Sequence, residues 1–214
     1  TDHKNVSYLF GTHHAFGKPF FDTLKHATEA LLSSDLLIKE NINIPGHLAE
    51  EIINKRSSTT KWKKYLDKKD EQYIRELFAL SDLEFNKMTP AELYAFLGRR
   101  YNENICIGKD SAANYFSLDD YIGSIAEQNQ ITVKGLETSE EQVRLINEDI
   151  RGMPAKVHKK RLSGMIARIQ SGSRDNCAET EWYSDMQFDF KMDQPCTNTL
   201  MLTDRNNKWM IQIK

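Results

Sequence analysis

Cysteine is scarce in this chain: Cys106, Cys177 and Cys196 are the full set. Three is an odd number with no C-x-x-C spacing, so neither a zinc knuckle nor a dithiol redox motif is written here. Cys177 and Cys196 flank one polar segment and are expected to be bridged in an oxidising compartment, with three unrelated thiols as the alternative. Long apolar runs are also missing, and none approaches the ~20 residues that a spanning helix needs. Charge of one sign is not in excess either. Lys+Arg total 29 against 31 Asp+Glu, so no bulk field draws the chain to nucleic acid or to an acidic membrane. There is no Gly-x-Ser-x-Gly elbow and no phosphate-cradling loop, which leaves serine-hydrolase and nucleotide readings without support. Internal repeats and low-complexity tracts are absent as well.

What is present is a chain of 214 residues, enough for one large domain or two small ones, burying roughly 70% of the unfolded surface. Its most telling stretch is Ser7-Tyr-Leu-Phe-Gly-Thr-His-His14. Ser7 to Phe10 read as a buried strand, and Gly11 allows a sharp turn or a close approach. His13 and His14 then fall just past a strand end, where open α/β sheets gather their ligands. Two later runs repeat that layout with carboxylates: Asp35-Leu-Leu-Ile-Lys-Glu40 and Ile131-Thr-Val-Lys-Gly-Leu-Glu137. If the three strands are parallel neighbours, His14, Glu40 and Glu137 share one rim.

Between the first two strands, Phe21, Leu24, Ala27 (or Thr28) and Leu31 recur at helical spacing, predicting a βαβ unit over residues 1–45. Residues 46–116 change character. Ile52 and Ile53, Tyr65, then Tyr73, Ile74, Leu77 and Phe78 follow helical patterns, and Thr89-Pro90-Ala-Glu92 is a helix start with Pro90 at the first position. This part is expected to be a helical cap over the rim. Residues 117–214 resume the α/β rhythm. Ser117 and Asp120 form a loose capping box, and Thr138 or Ser139 caps the helix after the third strand. Gly152-Met-Pro154 breaks that helix. Val157 to Gln170 is amphipathic, with Leu162, Met165, Ile166 and Ile169 on the buried side. The last helix carries an apolar face of Trp209, Met210 and Ile213. The fold class predicted is α/β, with a mixed or parallel central sheet and a helical insertion, helix-rich overall. The basic run Lys55 to Lys69 interleaves Trp62 and Tyr65, but Asp67 and Asp70 dilute it and no recognition motif accompanies it. A solvated helix face is expected there, and no nucleic-acid partner.

Several signatures together resemble one family. Tyr8-Leu-Phe-Gly-Thr-His-His14 is similar to the opening Gly-x-x-His of the TraB/GumN/Tiki family. Gly135-Leu-Glu-Thr138, followed by Glu141-Gln142, resembles its Gly-Leu-Glu-Thr…Glu-Gln segment. Arg205-Asn206 with Trp209-Met210 and Ile213 resembles its Arg-Asn helix. The Leu118-Asp119…Tyr121 helix and the strand ending in Glu40 fall in the same order. The resemblance runs from Tyr8 to Ile213, and it is to the GumN-like bacterial members.

This resemblance implies an α/β core like that of erythromycin esterase and ChaN-like haem-binding proteins (EreA/ChaN-like). It also implies a metal-dependent peptidase or related hydrolase, since the animal Tiki members are metal-dependent proteases outside the cell. Export is implied too, giving a periplasmic, cell-surface or secreted location, with membrane association through a removed leader or anchor. The family has a second Gly-x-x-His after the Arg-Asn helix, and this sequence stops at Lys214 before it. Because the chain begins at Thr1 and its last helix ends in mid-pattern, sequence is expected on both sides. The roles implied are His14 as a metal ligand, with His13 as runner-up, and Glu137 as a ligand or general base. Glu40 is the second carboxylate, and Arg205 a guanidinium for a carboxylate or oxyanion. Gly11, Gln142 and Asn206 are supports. The cofactor expected is a divalent ion (manganese, cobalt or zinc), which imidazole and carboxylate suit alike. The substrate expected is a peptide or protein. The rival expectation is a non-catalytic extracytoplasmic binding protein that holds a peptide, metal or porphyrin on the same rim.

Overall fold

The computed structural model describes residues 6–108, 116–187, 189 and 200–213. Its two strands, β1 (Leu36–Asn41) and β2 (Thr132–Glu137), pair in parallel, with Leu36 opposite Thr132 and Asn41 opposite Glu137. Helices make up 58% of the structure, and the two-stranded sheet is small. Short helices α1 (Lys18–Phe21) and α2 (Lys25–Leu32) precede β1. The helix predicted from Phe21 onward is therefore broken. The N–H groups of Asp22, Thr23 and Leu24 turn back onto Lys18, Phe20 and Phe21 carbonyls, and the Thr23 hydroxyl does the same to Phe20.

The stretch Ser7–Phe10 is not a strand. It runs without secondary structure and exposes its apolar side chains, Leu9 completely. Alternating bulk supplies strand propensity, but a strand also needs an edge to pair with, and no ladder bond reaches this segment among the described residues. The βαβ unit expected at the start of the chain is accordingly not formed. The parallel crossover instead runs the long way, from β1 through the helical region to β2.

Between β1 and β2 the described chain is helical: α3 (Ala49–Asn54), α4 (Lys68–Leu77), α5 (Pro90–Tyr101) and α6 (Leu118–Gln128). Caps set these starts locally. The Thr89 hydroxyl accepts the Glu92 N–H while Glu92 accepts the Thr89 N–H at 2.8 Å, a closed capping box with Pro90 in the first turn. Beyond Tyr101 the helix widens into a π turn, Asn102–Ile107, which Gly108 ends at φ +72°. After β2 come α7 (Ser139–Glu148), α8 (Ala155–Ser171), α9 (Ala178–Ser184) and α10 (Arg205–Ile213). Gly152, at φ +85°, separates α7 from α8 in a left-handed conformation that glycine adopts without strain.

Two apolar clusters result. The larger joins α4, α5 and α8 through Ile74, Leu93, Leu97, Leu162 and Ile166, with Trp62 stacked on Phe85 at 4.5 Å. Trp62 and Leu66 of the basic run therefore point inward. The smaller packs Phe21, Leu31, Leu118 and Ile122 beneath Leu37 and Val133, covering one sheet face. Leu36 and Ile38 on the other face are exposed. No residue of α10 is fully buried: of its predicted apolar face Trp209 is half-buried, while Met210 and Ile213 are exposed.

The cysteine pairing also differs from expectation: Cys177 is joined to Cys106, across 71 residues of sequence, and not to Cys196. The reason is position. Cys177 is fully buried at the start of α9, and the turn after α5 brings Cys106 to it with the two Cα atoms 5.2 Å apart. Cys196 lies outside the described residues. Among the described residues no helix is long and apolar enough to cross a membrane.

Candidate functional site

Parallel pairing places the carboxyl ends of β1 and β2 side by side, so Glu40 and Glu137 emerge at one rim. The loop carrying His14 reaches the same rim without a strand to deliver it. Three holds fix that loop: Phe16 packs in the smaller core, the Phe16 N–H closes a turn on the His13 carbonyl at 3.0 Å, and the His14 ring meets α6. Gly11 has open space around it, so neither a close approach nor positive φ explains its place.

His14 Nδ1 stands 3.0 Å from Asp119 Oδ2, and its Nε2 faces Glu40 Oε2 at 3.9 Å. The imidazole is half-exposed, at 52%, while Asp119 is mostly covered. Asp119 raises the His14 pKa above its ordinary value, first by the hydrogen bond and then by charge. Burial opposes that shift without cancelling it. Burial likewise works against the Asp119 carboxylate, but the hydrogen bonds from His14 and Thr12 hold it below its usual range. Asp119 is the site residue that sequence reasoning missed. Its partner lies 105 positions away, so no spacing announces the pair.

Arg205 lies between the two strand-end carboxylates. Its Nη1 is 3.6 Å from Glu137 Oε1 and its Nη2 is 3.8 Å from Glu40 Oε2, beyond direct hydrogen-bond length. Trp209, one helical turn on, lies under the guanidinium at 4.2 Å. Glu137 is buried, and burial raises its pKa. Gln142, which hydrogen-bonds it, and Arg205 work the other way, and the charges of Glu40 and Glu141 push it further up. Asn41 donates to Ser139 Oγ at 3.0 Å and to Gln142 Oε1 at 3.3 Å, so Gln142 is held on the rim as a supporting group. Asn206 stands exposed on α10, away from these contacts. His13 turns the other way, its ring against Phe16 and Tyr183, and burial lowers its pKa.

Gly135 has a definite steric reason. A Cβ there would sit 2.8 Å from Ile42 Cγ1 and 3.2 Å from the Ile42 backbone nitrogen. The chain leaving β1 therefore crosses tightly beside β2. It forms one wall of a cleft of about 600 Å³ next to Glu137, with Ile44, His47 and Lys208 among its other walls.

The donors at the rim suit a divalent ion in type and along one edge. Two ligands at about 2.1 Å from one ion stand roughly 3–4 Å apart, and His14 Nε2 and Glu40 Oε2 meet that distance. A carboxylate on the second ring nitrogen is the usual companion of a metal-bound histidine. The fit stops at two protein ligands: among the described residues no three or more of His, Cys, Asp and Glu are grouped to hold an ion. Glu137, expected as a ligand or general base, lies beside Arg205, with its Oε1 unpaired by any hydrogen bond.

A helix-rich α/β chain with its polar groups gathered at parallel strand ends is the class that fold and rim define. The profile of the TraB/PrgY/gumN family matches residues 1–214, and the chain belongs to that family. No curated protein and no solved structure matches it.

Proposed function

We propose that the chain is a metal-dependent peptidase or related hydrolase of the TraB/GumN/Tiki type, built on an EreA/ChaN-like core, and that its site is the rim of His14, Glu40, Glu137 and Arg205. One observation carries the proposal: an imidazole oriented by Asp119 faces Glu40 beside a buried carboxyl, Glu137, whose pKa is raised. His14 Nε2 and Glu40 would hold manganese, cobalt or zinc, with Asp119 fixing the ring. Such an ion, when bound, supplies Lewis acidity and brings the pKa of bound water from 15.7 to about 7. Glu137 is suited to take up and return a proton, because burial disfavours its charge and raises its pKa above the ordinary carboxylate value. Arg205 balances the two carboxylates and offers a guanidinium to a developing oxyanion. The cleft beside Glu137 would receive a peptide or protein segment. An oxidising, extracytoplasmic setting agrees with the Cys106–Cys177 bridge, since such bonds persist there.

The test is calorimetry with manganese, cobalt and zinc salts on metal-free protein, paired with hydrolysis of a mixed peptide library. Ion binding should be lost in His14→Ala. Glu137→Gln should keep the ion but lose about 10²- to 10⁴-fold in hydrolysis. Binding that survives His14→Ala would overturn the ligand assignment. A specific observation favours the rival: among the described residues no three donors are grouped to hold an ion, and the Arg205 guanidinium already stands between Glu40 and Glu137. Peptide bound intact, with no ion taken up, would establish that non-catalytic binding role.

A further inference from the structure

The His14 loop has a further anchor, beyond the three holds already named, that the proposed chemistry does not use. The Tyr183 hydroxyl, on α9, donates to the Gly11 carbonyl at 2.7 Å. Its ring lies 5.4 Å from that of His13, 5.0 Å from Phe16 and 5.3 Å from Phe20. One side chain thus touches the loop on its backbone, on the residue before His14, and on the phenylalanine that follows.

Helix α9 has seven residues, too short to hold itself. Its start is fastened from outside: Cys177 is tied to Cys106, Arg174 donates to the Ile105 carbonyl at 2.7 Å, and the Tyr101 hydroxyl donates to the Ser173 carbonyl at 2.7 Å. Six residues from Cys177 to Tyr183 span about 9 Å of helix. The disulfide thus fixes one end of a short rod whose other end grips the loop.

We propose that Tyr183 is a positioning residue for His14, and that the Cys106–Cys177 bridge acts through α9 to keep it in place. The loop from Val6 to Phe16 has no ladder to rigidify it. Its alignment with Asp119 and Glu40 therefore depends on side-chain anchors, of which Tyr183 alone grips both Gly11 and His13 among the described residues.

The test uses metal-free protein and no activity, so it stands or falls separately from the proposed hydrolase function. Hydrogen exchange of a peptide covering residues 7–17 is read in wild type, Tyr183→Phe and Tyr183→Leu. The His14 ring correlation in NMR, identified by its loss in His14→Gln, is followed alongside. Tyr183→Phe, which loses one hydrogen bond, should speed exchange of the Ala15 and Phe16 amides about five-fold and move the His14 signal. Tyr183→Leu should do more, and exchange in α8 should stay unchanged in Tyr183→Phe. A folded Cys106→Ala/Cys177→Ala double variant should displace the His14 signal the same way. Unchanged loop exchange with an unmoved His14 signal in both Tyr183 variants would overturn the proposal. Equal acceleration in the loop and α8 would do so too, by making Tyr183 a general brace. An unmoved His14 signal in the folded double cysteine variant would refute the role of the bridge.

Discussion

Glu92 offers the sharpest perturbation in the structure. Its side chain is 4% exposed and its two oxygens receive four hydrogen bonds. Arg56 binds bidentately at 2.8 and 2.7 Å, the Thr89 N–H donates at 2.8 Å, and Asn147 donates at 2.6 Å. Three segments meet there: the turn after α3, the first turn of α5, and α7, which leads away from Glu137. In Glu92→Gln the amide nitrogen faces donors whichever way it is turned, and Arg56 loses its charge partner. Breaking such a buried pair costs about 3–5 kcal/mol. With a urea m-value of about 3 kcal/mol/M, the unfolding midpoint should fall by roughly 1 to 2 M. Burial alone would lift the Glu92 pKa, but Arg56, the Thr89 N–H and Asn147 hold it below the ordinary 4.5. The unfolded chain therefore binds this proton more readily, so the stabilisation is present above pH 4.5 and fades as pH falls through the lower folded value. The gap between wild type and Glu92→Gln should narrow over that window. Glu148→Gln, which opens the surface pairs with Arg144 at 2.6 Å and Arg151 at 3.0 Å, is the control and should cost about 0–1 kcal/mol for each pair. A Glu92→Gln loss no larger than the control, or a gap that stays constant into acid, would refute the reasoning.

Gly135→Ala should destabilise the fold by about 1–3 kcal/mol through overpacking, because the backbone nitrogen of Ile42 must give way as well as its side chain. Ile42→Ala in the same chain should recover only part of the loss, read from paired urea midpoints. Peptide mapping of unreduced, natively produced protein should yield Cys106 linked to Cys177, and a Cys177–Cys196 peptide would contradict the structure. Removing the bridge by Cys106→Ala/Cys177→Ala should cost about 4 kcal/mol on loop entropy for a 71-residue separation, measurable in the same titration.

Local chemistry was readable from sequence, and encounters between distant segments were not. Thr89-Pro90, Ser117 and Thr138 each start a helix as their spacing predicts, since a cap is a bond between a side chain and a backbone three residues away. Glu40 and Glu137 fall at one rim because both strands are short, apolar and parallel. Ser7–Phe10 misled because propensity is local while pairing is not. Cys106–Cys177 and His14–Asp119 join positions far apart in the chain, chosen by packing of α5, α6 and α9. Three thiols permit three pairings, and nothing in their spacing selects one.

Helix α10 buries none of its own residues, yet it brings Arg205 to the rim. Beside the half-buried Trp209, what moors it is charge: Arg205 against Glu40 and Glu137, and Lys208 against Glu141. A helix moored by ion pairs answers to the ionic medium before it answers to heat. The Debye length shrinks from about 30 Å at 0.01 M salt to about 3 Å at 1 M, so the exposed Lys208 tether weakens first and the more covered Arg205 contacts later. Electrolyte concentration thus sets how often the guanidinium stands between its two carboxylates, and how often that place is open to another cation.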